Sequence, residues 1–94
     1  MTKQTRITAV VNGTTFDGDI AGEDRTLHRR EFASKSAARR FINRELAKQM
    51  PPDCCSMWGW ITVEEYDDEC HWLLVEESDT IGIGDLAPVK FFAR

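Results

Sequence analysis

The chain has 94 residues and a formal net charge of −4, with 41% hydrophobic and 30% charged residues. This length predicts a single domain, residues 1–94, with one modest core, and the hydrophobic content excludes an intrinsically disordered chain. No stretch approaches the roughly 20 apolar residues of a membrane span, and the N-terminus lacks the apolar run of a signal peptide. We therefore expect a cytoplasmic protein with no membrane partner.

The first third of the chain predicts β structure. Residues 5–11 and 14–20 are rich in β-branched side chains. Asn12-Gly13 between them is the strongest short signal for a two-residue hairpin turn, because both turn positions need φ > 0. Residues 25–32 are expected to extend the sheet, with Leu27 and Phe32 facing inward.

Residues 34–50 predict one amphipathic helix. Ser34 or Ser36 is a suitable N-cap, and the proline pair at 51–52 stops the helix because proline supplies no N–H donor. Apolar residues at three- and four-residue spacing form one face, which comprises Ala38, Phe41, Ile42, Leu46 and Met50. Arg40, Arg44 and Lys48 lie roughly opposite.

The second half predicts another hairpin, with strands at 58–66 and 70–77 and a polar turn at 67–69. Residues 78–86 are expected to form a loop, and residues 89–92 a short edge strand. The predicted architecture is α+β in the order β-β-α-β-β. An antiparallel sheet of four to five strands carries the helix on one face, and its other face is either solvated or used for binding.

Charge is divided along the chain. Residues 1–50 carry ten Lys/Arg against six Asp/Glu, whereas residues 51–94 carry two against ten. The acidic hairpin residues are Glu64, Glu65, Asp67, Asp68, Glu69, Glu76 and Glu77, with Asp79 beyond them. They form either a solvated turn that protects a sheet edge or a surface for a basic partner, such as one whose cations normally grip nucleic-acid phosphates.

The three tryptophans have two interpretations. Trp58 and Trp60 are two residues apart on one strand and share a face, and Trp72 lies in the paired strand. The favoured interpretation places the tryptophans in the core, with Ile61 and Val63 filling in behind them. In the alternative, Trp60 and Trp72 are exposed interface anchors beside the acidic residues.

The basic helix suggests a second function. Arg39, Arg40, Arg44 and Lys48 are candidate contacts to a phosphate backbone, which would make the chain a small nucleic-acid-binding regulator. The sequence pI of about 5.1 argues against a dedicated nucleic-acid binder. The same helix face is complementary to the acidic hairpin of a second copy, which would give a homodimer.

Metal and enzyme chemistry find little support in the sequence. Cys54, Cys55, Cys70 and His71 are adjacent in pairs, whereas structural zinc ligands are usually separated by two or more residues. An odd number of cysteines does not indicate a disulfide framework. We find no catalytic motif and no phosphate-binding loop. The sequence therefore predicts no metal, no cofactor and no enzymatic activity.

A short acidic chain with a Trp-rich acidic hairpin, one amphipathic helix and no catalytic motif resembles the small accessory proteins of phages and mobile elements. Among these it most resembles the anti-CRISPR inhibitors. The resemblance is one of general character over the whole chain. It includes no shared sequence motif, so it assigns no residue a role. It implies a non-enzymatic protein that acts in the bacterial host cytosol, docks on a CRISPR effector ribonucleoprotein and blocks DNA capture or nuclease recruitment. The acidic hairpin would then mimic DNA at Lys/Arg sites. The basic helix departs from a pure DNA mimic and leaves room for a second contact, to guide RNA or to an acidic patch.

Overall fold

A computed structural model describes residues 4–17, 20–69, 71–85 and 87–93. The described residues form one helix and six strands, which are β1 (Thr5–Asp17), β2 (Ile20–Phe32), α1 (Lys35–Ala47), β3 (Cys54–Asp67), β4 (His71–Ser78), β5 (Ile81–Gly82) and β6 (Phe91–Ala93). Every strand pair is antiparallel. The sheet order is β2-β1-β3-β4-β6, with β5 beside β3. The predicted α+β class and antiparallel sheet are confirmed, and two short strands raise the strand number above the predicted four to five.

The predicted turn at Asn12-Gly13 is wrong. Both residues lie inside β1, where Asn12 pairs with Thr26 on one side and with Trp58 on the other. A Cβ atom at position 13 would lie 3.0 Å from Leu27 Cδ1 and 3.0 Å from the Cys54 sulfur. A side chain here would therefore crowd both neighbouring strands, and β1 continues to Asp17, which pairs with Ile20 of β2. The predicted strand at 25–32 is confirmed as part of β2.

The helix is shorter than the predicted 34–50. Ser34 caps it by accepting the N–H of Ala37 at 3.1 Å, as predicted. The helix ends at Ala47, and the backbone of Lys48 is extended. Cys54 N–H donates to Pro51 O at 3.0 Å, where the chain enters β3. No helix in the described part of the chain is long and apolar enough to cross a membrane.

The helix packs on the face of the sheet that carries the core. The predicted apolar helix face is confirmed for Ala38, Phe41, Ile42 and Leu46, which are buried, and Met50 packs against them from beyond the helix. The strands contribute Ala9, Val11, Met57, Ile61 and Ile81. Gly59 lies between Met57 and Ile61 on this face, and a Cβ atom there would be 2.7 Å from Ile42 Cγ2. The helix therefore rests directly on the backbone of β3.

The interpretation of the tryptophans as core residues is wrong. Ile61 and Val63 face the helix and are 1% and 6% exposed, whereas Trp58 and Trp60 alternate onto the other face and are half-buried. The physical reason is the alternation of side chains along β3, because Gly59 lies against Ile42 of the helix and its neighbours at 58 and 60 must face the other way.

Glu45 is a charged residue on the buried side of the helix, with 8% of its surface exposed. Its carboxylate accepts a hydrogen bond from Lys48 Nζ at 2.8 Å and lies 3.2 Å from His28 Nε2. The hydrogen bond from Lys48 lowers the pKa of Glu45 below its ordinary value of 4.5, against the opposing effect of burial. The nearby positive groups, which include Arg44, lower it further.

Replacing Gly59 by Ala is expected to destabilise the fold by about 1–3 kcal/mol, the usual cost of overpacking. The added methyl group would meet Ile42 and also Val10 O at 2.9 Å, and a backbone oxygen cannot rotate away. Gly82→Ala is the matched control, because nothing lies within 4 Å of a Cβ atom there. Thermal unfolding of the two variants checks this expectation. Equal melting temperatures would contradict the close packing of α1 on β3.

The contribution of Glu45 is expected to depend on pH. A carboxyl group whose pKa is lower in the folded state stabilises the fold above its unfolded pKa, and this stability is lost as the pH falls through the folded pKa. The difference in unfolding free energy between the natural chain and Glu45→Gln should thus be present above the ordinary carboxyl pKa of 4.5 and shrink toward about pH 3. Urea unfolding at several pH values measures it, with exposed Glu23→Gln as control. A difference that stays constant over this range would show that the Glu45 carboxylate is not ionised preferentially in the fold.

Candidate partner-binding surface

The hairpin of β3 and β4 carries the candidate surface at its turn. β6 pairs with β4 only at Glu76, Glu77 and Ser78, so residues 71–75 have no outer strand among the described residues. Asp67 pairs with His71 to close the turn, and Asp67 Oδ1 accepts the N–H of Glu69 at 2.7 Å. His71 has a φ of 60°, in the left-handed region that tight turns require. We call residues 66–69 and 71–74 the hairpin tip.

The turn itself presents carboxylates to solvent, and the predicted polar turn is confirmed at this position. Asp67, Asp68 and Glu69 are all exposed. Asp67 has a structural role because it caps the turn. Asp68 and Glu69 make no ion pair with any other residue that the structure describes. The result is a local concentration of negative charge that an outside cation can reach.

Exposed apolar side chains lie beside these carboxylates. Tyr66 is 36% exposed, Leu73 42% and Leu74 37%. By contrast, the predicted anchors Trp60 and Trp72 are both half-buried. Trp72 packs edge-on against Tyr66, with ring centroids 5.6 Å apart. The accessible apolar surface of the hairpin tip is therefore supplied mainly by Tyr66, Leu73 and Leu74. None of these three residues was predicted as an interface residue.

Two of the predicted partner-binding carboxylates are paired within the molecule. Glu64 accepts two hydrogen bonds from Arg6, at 3.1 and 2.9 Å, and its side chain is only 15% exposed. Glu76 lies 3.1 Å from Lys35 Nζ. Glu65 and Glu77 are half-buried, and each interacts with another group of the protein. The negative surface that remains is thus narrower than the sequence suggests and is centred on the turn.

Arg6 is a residue that sequence reasoning missed. Its guanidinium carbon lies 4.2 Å from the centroid of the Trp72 ring, so it joins β1 to both β3 and β4. The hydrogen bond to Glu64 raises the pKa of Arg6 above its ordinary value. The sequence carries no signal for this cluster, because the register that places Arg6 opposite Glu64 exists only once β1 pairs with β3.

The four basic residues predicted along the helix differ in exposure and in pairing. Arg40 and Arg44 are exposed, whereas Lys48 pairs with Glu45 at 2.8 Å. Arg39 is half-buried and donates to Asp85 O at 2.7 Å and to Asn43 Oδ1 at 3.2 Å. These four cations therefore do not form one free stripe along the helix.

The predicted metal-ligand candidates are only partly described. Cys54 is buried and Cys55 is half-buried, and both are free thiols. Cys55 Sγ donates to Thr14 O at 3.4 Å. Cys70 lies outside the described residues. Within those residues, no group of three or more potential ligands is arranged to hold a metal ion.

No protein-family model, curated protein or solved structure matches the chain.

Replacing Arg6 by Ala is expected to lower the melting temperature and to change the near-ultraviolet circular dichroism of the tryptophans. The change removes the two hydrogen bonds to Glu64 and the cation over Trp72. Arg29→Ala removes the same charge from the exposed edge strand β2 and serves as control. If both variants unfold at the same temperature with unchanged aromatic spectra, Arg6 does not hold the hairpin in place.

Proposed function

We propose that this chain is a non-enzymatic protein-binding inhibitor that docks through the hairpin tip on a basic surface of another protein. The observation that carries the proposal is that exposed Asp68 and Glu69 lie in the turn of a hairpin that exposes Tyr66 and Leu74 on one face and Leu73 on the other. Protein interfaces commonly combine a small apolar centre with a charged rim. The hairpin tip has both parts.

The open edge of β4 adds a third element to this surface. Because residues 71–75 lack an outer strand among the described residues, their outward backbone groups are available to an extended segment of a partner. The nearby carboxylates favour a segment or surface rich in Lys and Arg and speed its approach. Apolar contact, strand pairing and charge attraction would then act at the same place.

The resemblance to anti-CRISPR proteins identifies the partner class that we propose. A CRISPR effector holds nucleic acid in a positively charged channel, which an acidic surface can occupy in place of DNA. In this proposal the chain is phage-encoded and acts in the bacterial cytosol.

Nucleic-acid binding through the helix has weaker support. Of the four predicted cations, only Arg40 and Arg44 are exposed without an acidic partner among the described residues. Affinity for a phosphate backbone rises with the number of phosphates neutralised, so two cations on an acidic chain supply little. A homodimer between this helix and the acidic turn uses the same two cations. Binding of free nucleic acid and the oligomeric state in solution test these two alternatives.

The test uses the double variant Asp68→Lys/Glu69→Lys. It leaves Asp67 in place because that side chain caps the turn. Glu23→Lys/Asp79→Lys is the matched control, since it makes the same change in net charge at exposed positions away from the hairpin tip. The natural chain is mixed with purified CRISPR effector ribonucleoproteins of several types, and their binding to target DNA is measured by gel shift.

We expect the natural chain and the control to inhibit at least one effector, and the tip variant to lose at least about tenfold in potency. Equal potency of both variants would show that the acidic turn is not the docking site. Failure to inhibit any effector would remove the CRISPR assignment. A salt-sensitive shift of free DNA or RNA by the chain alone, or a dimer in solution that the tip variant lacks, would favour the respective alternative.

A further inference from the structure

A second surface lies on the face of the sheet that carries the helix, where a groove of about 410 Å³ runs between the first half of α1 and the segment before β6. Its cationic lining consists of Lys35, Arg39 and Arg40. Its apolar lining consists of Ile61, Ala87, Pro88, Val89 and Phe91. The volume falls within the range of roughly 300–1,000 Å³ that is typical of small-molecule sites, although this groove is shallow and largely open to solvent.

The positive charge of this groove is only partly balanced. Lys35 pairs with Glu76 at 3.1 Å, but the hydrogen bonds of Arg39 go to neutral oxygen atoms of Asn43 and Asp85. Arg40 makes no ion pair with any residue of the described ranges. Two guanidinium groups are therefore available to attract an anion.

The local helix sequence is unfavourable for stability. The first turn of α1 contains no acidic residue, and the helix begins at Lys35. Acidic side chains stabilise the positive N-terminal end of a helix, whereas cations there are disfavoured. Sequences depart from such local preferences mainly where function requires it. The accumulation of Lys35, Arg39 and Arg40 in the first half of the helix is consistent with an anion-binding role.

The apolar side of the groove accommodates the rest of the ligand. Val89 and Phe91 are half-buried, and Lys35 Nζ lies 4.0 Å from the centroid of the Phe91 ring. Because Lys35 covers one face of the Phe91 ring, a flat ring must either displace Lys35 or lie on Val89 beside it while an attached anion reaches the arginines. Arginine is suited to phosphate because its planar fork donates two parallel hydrogen bonds.

From this arrangement we infer that the groove binds a phosphate monoester of a flat ring, the chemistry of a nucleoside monophosphate. Arg40 and Arg39 would contact the phosphate, and the ring would pack on Val89 and Phe91. Ser36 and Asn43 also line the groove and offer polar contacts to the sugar. This inference does not rest on the proposed inhibitory function, because the hairpin tip shares no residue with the groove.

The experiment is isothermal titration calorimetry of the full chain with three probes. These are adenosine 5′-monophosphate, adenosine without the phosphate, and inorganic phosphate without the ring. We expect saturable binding of the nucleotide and at least about tenfold weaker binding of each part alone, because charge-assisted hydrogen bonds and apolar contact both contribute. No saturable binding of the nucleotide, or adenosine binding as tightly as the nucleotide, would overturn the inference.

Two single variants separate the groove from general electrostatics. Arg40→Ala should weaken nucleotide binding by about tenfold or more, the usual effect of losing a charge-assisted hydrogen bond. Arg44→Ala removes the same charge one turn further along the helix and outside the groove, and should change the affinity by less than about twofold. Unchanged melting temperatures establish that both variants fold. Equal losses in the two variants would show that only overall charge attracts the nucleotide, which would overturn the assignment.

Discussion

The helix rests directly on the backbone of β3 at Gly59, and this contact determines which face of the sheet each side chain occupies. Because Ile42 lies where a side chain at position 59 would be, only Gly59 and its aliphatic neighbours fit beneath the helix. Alternation along the strand then places Trp58 and Trp60 on the opposite face. The same contact leaves Ile61 at the base of the groove beside the first half of α1.

Pairing across the sheet determines which charges remain accessible. The basic and acidic parts of the chain do not form two separate surfaces, because β1 lies between β2 and β3 and brings Arg6 to Glu64. Lys35 and Lys48 are likewise paired with Glu76 and Glu45. The charges that stay accessible include an acidic turn at one place and helix arginines at another. A division of charge along the sequence thus becomes two small sites of opposite sign.

The sequence predicted the elements whose signals are local. The apolar spacing and the Ser34 cap indicated the helix, and alternating residues around a polar turn indicated the second hairpin. The turn prediction failed at Asn12-Gly13. This dipeptide favours turns, but here it lies inside β1, with β2 on one side and β3 on the other. The prediction for the tryptophans also failed, since periodicity along β3 does not by itself show which face of the strand the helix covers. The exposed carboxylates Asp68 and Glu69 were predicted, whereas their apolar neighbours and the role of Arg6 were not.

By itself, the sequence determined the α+β composition, the amphipathic helix, and the acidic turn of the second hairpin. These features depend on residues that are neighbours along the chain or within a few helical turns. Only the tertiary structure decided which carboxylates are neutralised, which face carries the tryptophans, and how Arg39 and Arg40 come to line a groove with Val89 and Phe91. Those outcomes depend on strand register and helix position, which bring together residues far apart in sequence.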